Sequence, residues 1–348
     1  MLPKDRILHA LHAKTNKPSA QSGISSALLS GGTWAFRQQG LSLQEVLEKP
    51  ELGAPALIAI NQLVKSDIVW PGSGYHNLLV HIFGGKIKFR PQGNIDVIEP
   101  AFAQVTEADK IDVSAINRHE WIRAIRLMIS QVNKQIGNEY LIGTSSWGPF
   151  TLAGQFYGVE KLMSGLYKDK AGIHALLEAM TAVCIAYLAP AIESGARILS
   201  IAEPTASGDL ISLNHFEEFV APYIKKANEE LKKRGAYTTL HICGNIRDRV
   251  HLAPDMLVDL LSVDYKVDLA LAQLQLAGKI ALAGNVNPVL LKDGNIEEIV
   301  QAAKQSIVEA GRGENYILMP GCDIPPSVPL DNVAAFLKVA READVKAS

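Results

Sequence analysis

From Gly137 to the C-terminus the chain alternates short apolar segments, rich in β-branched and aromatic residues, with long amphipathic ones. The strand-like segments are "EYLIGTSS" (139–146), "RILSIAEP" (197–204), "AYTTLHIC" (236–243), "KIALAGNV" (279–286) and "YILMPGC" (316–322). Helical periodicity fills 152–167, 168–193, 214–235, 253–261, 296–311 and 329–343, with Asn214 expected to cap the third of these and Gly235 to end it. Strands that alternate with helices of ten or more residues cannot pair as hairpins. They imply parallel βαβ units. Five such units in about 200 residues suit a (β/α)8 TIM barrel better than an open sheet. "SGG" (30–32) and "FGG" (83–85) lack the G-x-G-x-x-G spacing of a dinucleotide fold.

Residues 1–110 are less regular, with helices expected near 4–14 and 41–65 and a hairpin near 78–90. They read as an N-terminal helical and hairpin extension that covers or completes a main barrel over 111–348. No linker-like stretch separates the two, so 1–348 is expected to form a single domain.

The 348 residues carry a net charge of −2 and no long basic block, which argues against a nucleic-acid partner. The longest apolar stretch, 180–192, is too short to cross a bilayer, and the N-terminus lacks a secretory signal's apolar core. No membrane partner is expected. Three cysteines make no disulfide framework, and the expected location is the cytoplasm.

In a parallel barrel, catalytic groups gather at the C-terminal ends of the strands. Glu203, His241, Cys243, Asn285 and Cys322 all fall there. His241 and Cys243 are two positions apart, so both side chains point the same way. A histidine and two thiolates with an open fourth position form a catalytic zinc site of the N/S type, suited to activating a bound thiol. Read separately, each cysteine is also compatible with simple packing. Cys184, inside an apolar helix, is read only as packing. Glu203 is either a fourth ligand, a general base, or an acceptor for its own turn. Asp67 is a site candidate or a helix-terminal turn residue. His76 and His81 are read as structural or surface residues.

Six segments together resemble the uroporphyrinogen decarboxylase superfamily: "GPFTLAGQFYGVEKLM" (148–163), "EPTASGDLIS" (203–212), "FVAPYIKKANEELKKRG" (219–235), "LHICGN" (240–245), "LAGNVNP" (282–288) and "MPGCDIPPSVPLDNV" (319–333). "KDRILHALHAKTNKP" (4–18) is similar to the family's opening helix. Within the superfamily, the methylcobamide:coenzyme M methyltransferases carry zinc on H-x-C and a distant Cys. His241, Cys243 and Cys322 fall on those positions.

That resemblance implies zinc-dependent transfer of a methyl group from a methylcobamide, carried by a separate corrinoid protein, to a small thiol such as coenzyme M. It also implies Gly244 and Asn285 beside the acceptor pocket and Glu203 at the open metal position. Two alternatives remain. One is the zinc chemistry of epoxyalkane:coenzyme M transferases. The other is metal-free uroporphyrinogen decarboxylation, for which "SDI" (66–68) resembles the essential aspartate segment, with Asp67 as the catalytic group. Against decarboxylation, the first 60 residues contain only Arg6 and Arg37, and no arginine cluster to hold propionates. "SALLSGGTWAFRQQG" (26–40) departs from the methyltransferase pattern and leaves the acceptor open.

Overall fold

The structure is a computed structural model that describes residues 1–13, 24–91, 93–311 and 313–345. Ten strands occur among them: β1 (Ser25–Ser26), β2 (Ile68–Val69), β3 (Lys86–Phe89), β4 (Ile95–Glu99), β5 (Leu141–Trp147), β6 (Ile198–Ala202), β7 (Tyr237–Ile242), β8 (Leu260–Val263), β9 (Ala281–Val286) and β10 (Tyr316–Pro320). Eight of them form one parallel sheet in the order β1-β10-β9-β8-β7-β6-β5-β2, with helices in the crossovers. This is a (β/α)8 barrel.

The sheet's two end strands, β1 and β2, are only two residues long. Asp67 joins them: its backbone N–H donates to Ser26 O at 2.9 Å, and its Oδ2 accepts from the Ser26 N–H at 3.0 Å. Arg6 completes the joint, with Nη2 at 2.5 Å from Asp67 Oδ1. Two of the eight strands therefore lie before residue 111, so the N-terminal segment completes the barrel as well as covering it.

The barrel interior has its own apolar cluster. Ile68, Leu141, Ile198, Leu260, Ala281 and Ile317 meet Ile7, Ala10 and Leu11 of helix Pro3–His12, which plugs the end where the strands begin. Trp70 fills the next layer, and only a glycine at 143 leaves room for it, because a Cβ there would stand 2.6 Å from the indole. Toward the strands' C-terminal ends the inner positions turn polar, with Ser145, Ser200, His241 and Ser262. The larger core lies between sheet and helices.

Several expected boundaries shift. The expected 4–14 helix is Pro3–His12, and residue 14 lies outside the described residues. The segment expected as a hairpin at 78–90 begins as helix Leu78–Ile82, and the antiparallel pair is β3 with β4. Part of the expected helix at 253–261 is strand β8, preceded by a 3-10 turn over Val250–Met256. Helix Leu213–Phe219 is capped by Ser212, whose Oγ accepts from the His215 N–H at 3.3 Å, and not by Asn214.

Helix Lys170–Glu193 runs 24 residues and is long and apolar enough to cross a membrane. More than half of its apolar window is buried in the protein, where it packs against helices Pro149–Tyr157 and Ala221–Lys233. Cys184 sits fully buried on it, as a packing group.

Candidate metal centre and substrate cavity

His241 is an inner residue of β7, in register with Ala202 on one side and Ser262 on the other. Its Nδ1 lies 3.0 Å from Ser262 Oγ. With the Nδ1 proton donated to that hydroxyl, Nε2 keeps its lone pair and faces Cys243 Sγ at 3.0 Å. Cys243 follows the end of β7, and its Sγ is 3.1 Å from Cys322 Sγ, which follows β10. The three donor atoms lie within 4.8 Å of one another and are the one group of three or more His, Cys, Asp or Glu found converging in this way among the described residues.

Two thiols this close cannot ionise independently. Hydrogen bonding from Cys243 first, with His241 adding to it against the opposing effect of burial, holds the Cys322 thiol below its ordinary range. The same contact, with burial, pushes the Cys243 thiol up. The pair therefore loses its first proton more easily than its second.

The loop after β7 is shaped to hold this cluster. Gly244 adopts φ +83°, and a Cβ there would fall 2.5 Å from Asp209 Oδ2. Its N–H donates to Asp264 Oδ2 at 2.9 Å. Asn285 reaches the loop after β8, which holds Asp264, from β9, donating through Nδ2 to the carbonyls of Asp264 and Val267 at 3.1 and 2.6 Å. Both residues expected at the acceptor pocket thus brace the β8 loop behind the cluster. Neither lies on the cavity wall.

Two other expected site residues stand elsewhere. Glu203 is fully buried, and its carboxylate accepts from the N–H groups of Phe150 and Thr151 at 3.0 and 2.7 Å. Those are unpaired amides at the start of helix Pro149–Tyr157, where a negative charge is stabilised by the helix dipole. Gly148 makes this possible, since a Cβ there would overlap the carboxylate. Burial nevertheless raises the Glu203 pKa to about 7, against the pull of Thr151 and Phe150. Its carboxylate is committed to the helix and is not part of the donor cluster. Asp67 precedes β2, at the opposite end of the barrel from His241, where it closes the sheet. Its pKa is raised by burial, opposed by the Arg6 hydrogen bond and charge. Asp67, expected as a catalytic candidate, belongs neither to the donor cluster nor to the cavity lining.

A cavity of about 320 Å³ opens beside the cluster. His241, Cys243 and Cys322 form one side, and His76, Asn77 and Trp147 form the other. The sequence marks His76 as a structural or surface residue, whereas the fold places it in the cavity wall. Its Nδ1 donates to the Ser145 carbonyl at 3.0 Å, its ring lies 4.7 Å from Trp147, and burial lowers its pKa to about 4. Trp147 Nε1 donates to Asn77 Oδ1 at 2.8 Å, and Asn77 Nδ2 donates to the Ile95 carbonyl of β4 at 2.8 Å. This chain of bonds ties the hairpin to the rim. No motif spacing marks these residues. The one sequence cue is the cluster of aromatic and turn residues in "DIVWPGSGYHNLL".

The donor set of one imidazole and two thiols fits zinc by ligand chemistry, and Ser262 behind the imidazole is the kind of outer contact that fixes a metal-binding histidine.

Comparison with known proteins agrees with this architecture. The family model "Uroporphyrinogen decarboxylase (URO-D)" matches residues 32–343. "Methylcobamide:CoM methyltransferase MtbA" of Methanosarcina mazei is 30% identical over 75% of this chain and 74% of its own length. "Uroporphyrinogen decarboxylase 2, chloroplastic" of Arabidopsis thaliana is 29% identical over 80% of this chain and 68% of its own. A solved structure described as "methyltransferase from Methanosarcina mazei" superposes with a TM-score of 0.87 at 25% identity, covering 99% of both chains. A barrel closed at Asp67, a histidine and two cysteines at its open end and a family match across most of the sequence lead to one assignment: the chain belongs to the uroporphyrinogen decarboxylase family, among whose members it is similar to the methylcobamide:CoM methyltransferases.

Proposed function

We propose that this chain transfers a methyl group from a methylated corrinoid, carried by a separate protein, to a small thiol. The observation that carries the reading is the convergence of His241 Nε2 with the thiols of Cys243 and Cys322 at the open end of the barrel. In this reading those three residues hold zinc. A bound zinc supplies Lewis acidity that lets an acceptor thiol bind as its thiolate at neutral pH.

The chain's own residues do the rest. Ser262 takes the Nδ1 proton of His241 in a hydrogen bond and so keeps Nε2 available. Cys243 and Cys322 give up their protons to become ligands. The cavity wall of His76, Asn77 and Trp147 positions the acceptor and restricts water beside it. In the transfer, sulfur forms a bond to the methyl carbon as the carbon–cobalt bond breaks. The bonding electron pair leaves with cobalt, and the thiol proton goes to solvent.

The reading predicts about one zinc per chain in protein purified without a histidine tag, and its loss in Cys322→Ser. It also predicts thiol-dependent demethylation of methylcobalamin, followed by the visible spectrum. A wild-type chain with no metal and no thiol-dependent demethylation would overturn it. Decarboxylation gains nothing from Asp67, which is engaged with Arg6 and Ser26 at the far end of the barrel.

A further inference from the structure

Among the described residues, the wall facing the thiol–imidazole cluster carries hydrogen-bonding groups but no lysine or arginine, and none lines the rest of the cavity. The ionisable groups lining it besides the cluster are His76 and Asp323. Because a carbonyl can only accept, the bond to Ser145 O fixes the His76 proton on Nδ1. Nε2 is then a lone-pair acceptor, and none of the hydrogen bonds among the described residues engages it. Asp323 adds a carboxylate, whose Oδ1 takes the N–H groups of Gly31 and Ile324 at 3.2 and 3.0 Å. The amides of Asn77 and Asn94 are neutral, and their Oδ1 atoms are occupied by Trp147 Nε1 and Thr33 Oγ1.

A sulfonate or carboxylate entering such a space would lose its hydration and meet a carboxylate and a lone pair, with no cation to offset the loss. A hydroxyl would meet an acceptor that has no other partner. We propose that the acceptor is a small thiol whose far end is an uncharged hydroxyl, not an anion, and that His76 selects it by accepting a hydrogen bond from that hydroxyl through Nε2. The inference rests on the transfer reading above and names its substrate class. His76 acts here as a specificity-determining residue, through contact with the substrate's far end, and the reacting sulfur lies at the opposite wall.

The test uses the metal-loaded full chain and two matched pairs: 2-mercaptoethanol against 2-mercaptoethanesulfonate, and 3-mercapto-1-propanol against 3-mercaptopropionate. Calorimetric Kd and the rate of methylcobalamin demethylation are measured for each, with 1-propanethiol as a reference lacking the far-end group. The hydroxyl member of each pair is expected to bind about tenfold tighter or better, a difference typical of one net hydrogen bond. His76→Phe should erase that preference, read within the variant as the ratio of hydroxyl-thiol Kd to 1-propanethiol Kd, and His76→Gln, which keeps an acceptor, should restore part of it. Equal or tighter binding of the anionic thiols by the wild-type protein would overturn the proposal, whether or not the variants fold. So would an unchanged hydroxyl preference in His76→Phe. If no thiol in the panel is methylated or bound, the transfer reading itself fails and takes this inference with it. Anionic thiols that are methylated well leave the transfer reading standing and remove only the substrate class.

Discussion

Ser262 supports His241 from behind, on the neighbouring strand and in register with it. A ligand imidazole without its outer partner rotates more freely and donates less well. Ser262→Ala is therefore expected to weaken zinc affinity about tenfold or more, as outer contacts of ligand histidines commonly do. Competition with a chromogenic chelator reads this directly, and the fold, monitored by circular dichroism, should not change. Glu203 gives a different signature. Its pKa is about 4.5 in an unfolded chain and about 7 when buried. The folded state thus binds the extra proton between those values, so stability falls as pH rises from about 4.5 through about 7 and is flat above. Over that window the loss is on the order of 3 kcal/mol. Glu203→Gln should flatten the slope, read from urea midpoints at several pH values. A slope unchanged in the variant would mean that Glu203 does not hold that proton. His241, Cys243 and Cys322 were legible because strand alternation and strand ends alone bring them to one face. His76 was not, since it comes from a loop before helix Leu78–Ile82, and only tertiary packing brings it over Ser145.

At the scale of elements, the weakest-looking part of the barrel is the join between β1 and β2. Two-residue strands have no periodicity to read, which is why the sequence suggested an extension where two barrel strands lie. Their pairing depends on a side chain: Asp67 replaces the missing ladder, and Arg6 neutralises it inside the protein. Arg6→Ala leaves that carboxylate buried without its cation and should cost about 3 kcal/mol of stability. Asp67→Asn, which removes the charge and keeps an acceptor, should cost less. Zinc content and methyl transfer per folded molecule should survive in both, measured after correcting for the folded fraction. Loss of chemistry in a folded, metal-loaded Asp67→Asn protein would return Asp67 to the catalytic group. β8 was misread for a related reason. Met256, Leu257, Leu260 and Leu261 follow helical spacing, whereas burial on both faces of a parallel strand removes the alternation that would mark it.

For the whole molecule, the apolar core and the donor cluster are separate. Packing at the plugged end and between sheet and helices involves none of His241, Cys243 or Cys322. Zinc is thus expected to add to stability without being required for folding. Adding zinc to metal-free protein should raise Tm by a few degrees through preferential binding to the folded state. The rise should vanish in Cys322→Ser, and a metal-free chain that does not fold at all would contradict this separation. The alternating pattern after Gly137 was enough to predict the barrel, because five βα units in about 200 residues suit a closed barrel better than an open sheet.

Helix Pro3–His12 has a further consequence. With Ile7, Ala10 and Leu11 filling one end, the barrel is a cul-de-sac. Among the described residues, the way to His241 and Cys243 is the mouth at the strands' C-terminal ends. On the proposed reading, a small thiol and a corrinoid protein would have to queue at that doorway, the thiol first, because a protein seated across the mouth would shut the thiol out. Too much of the larger partner would slow the cycle by arriving early, and the methylated product would have to wait for that partner's departure.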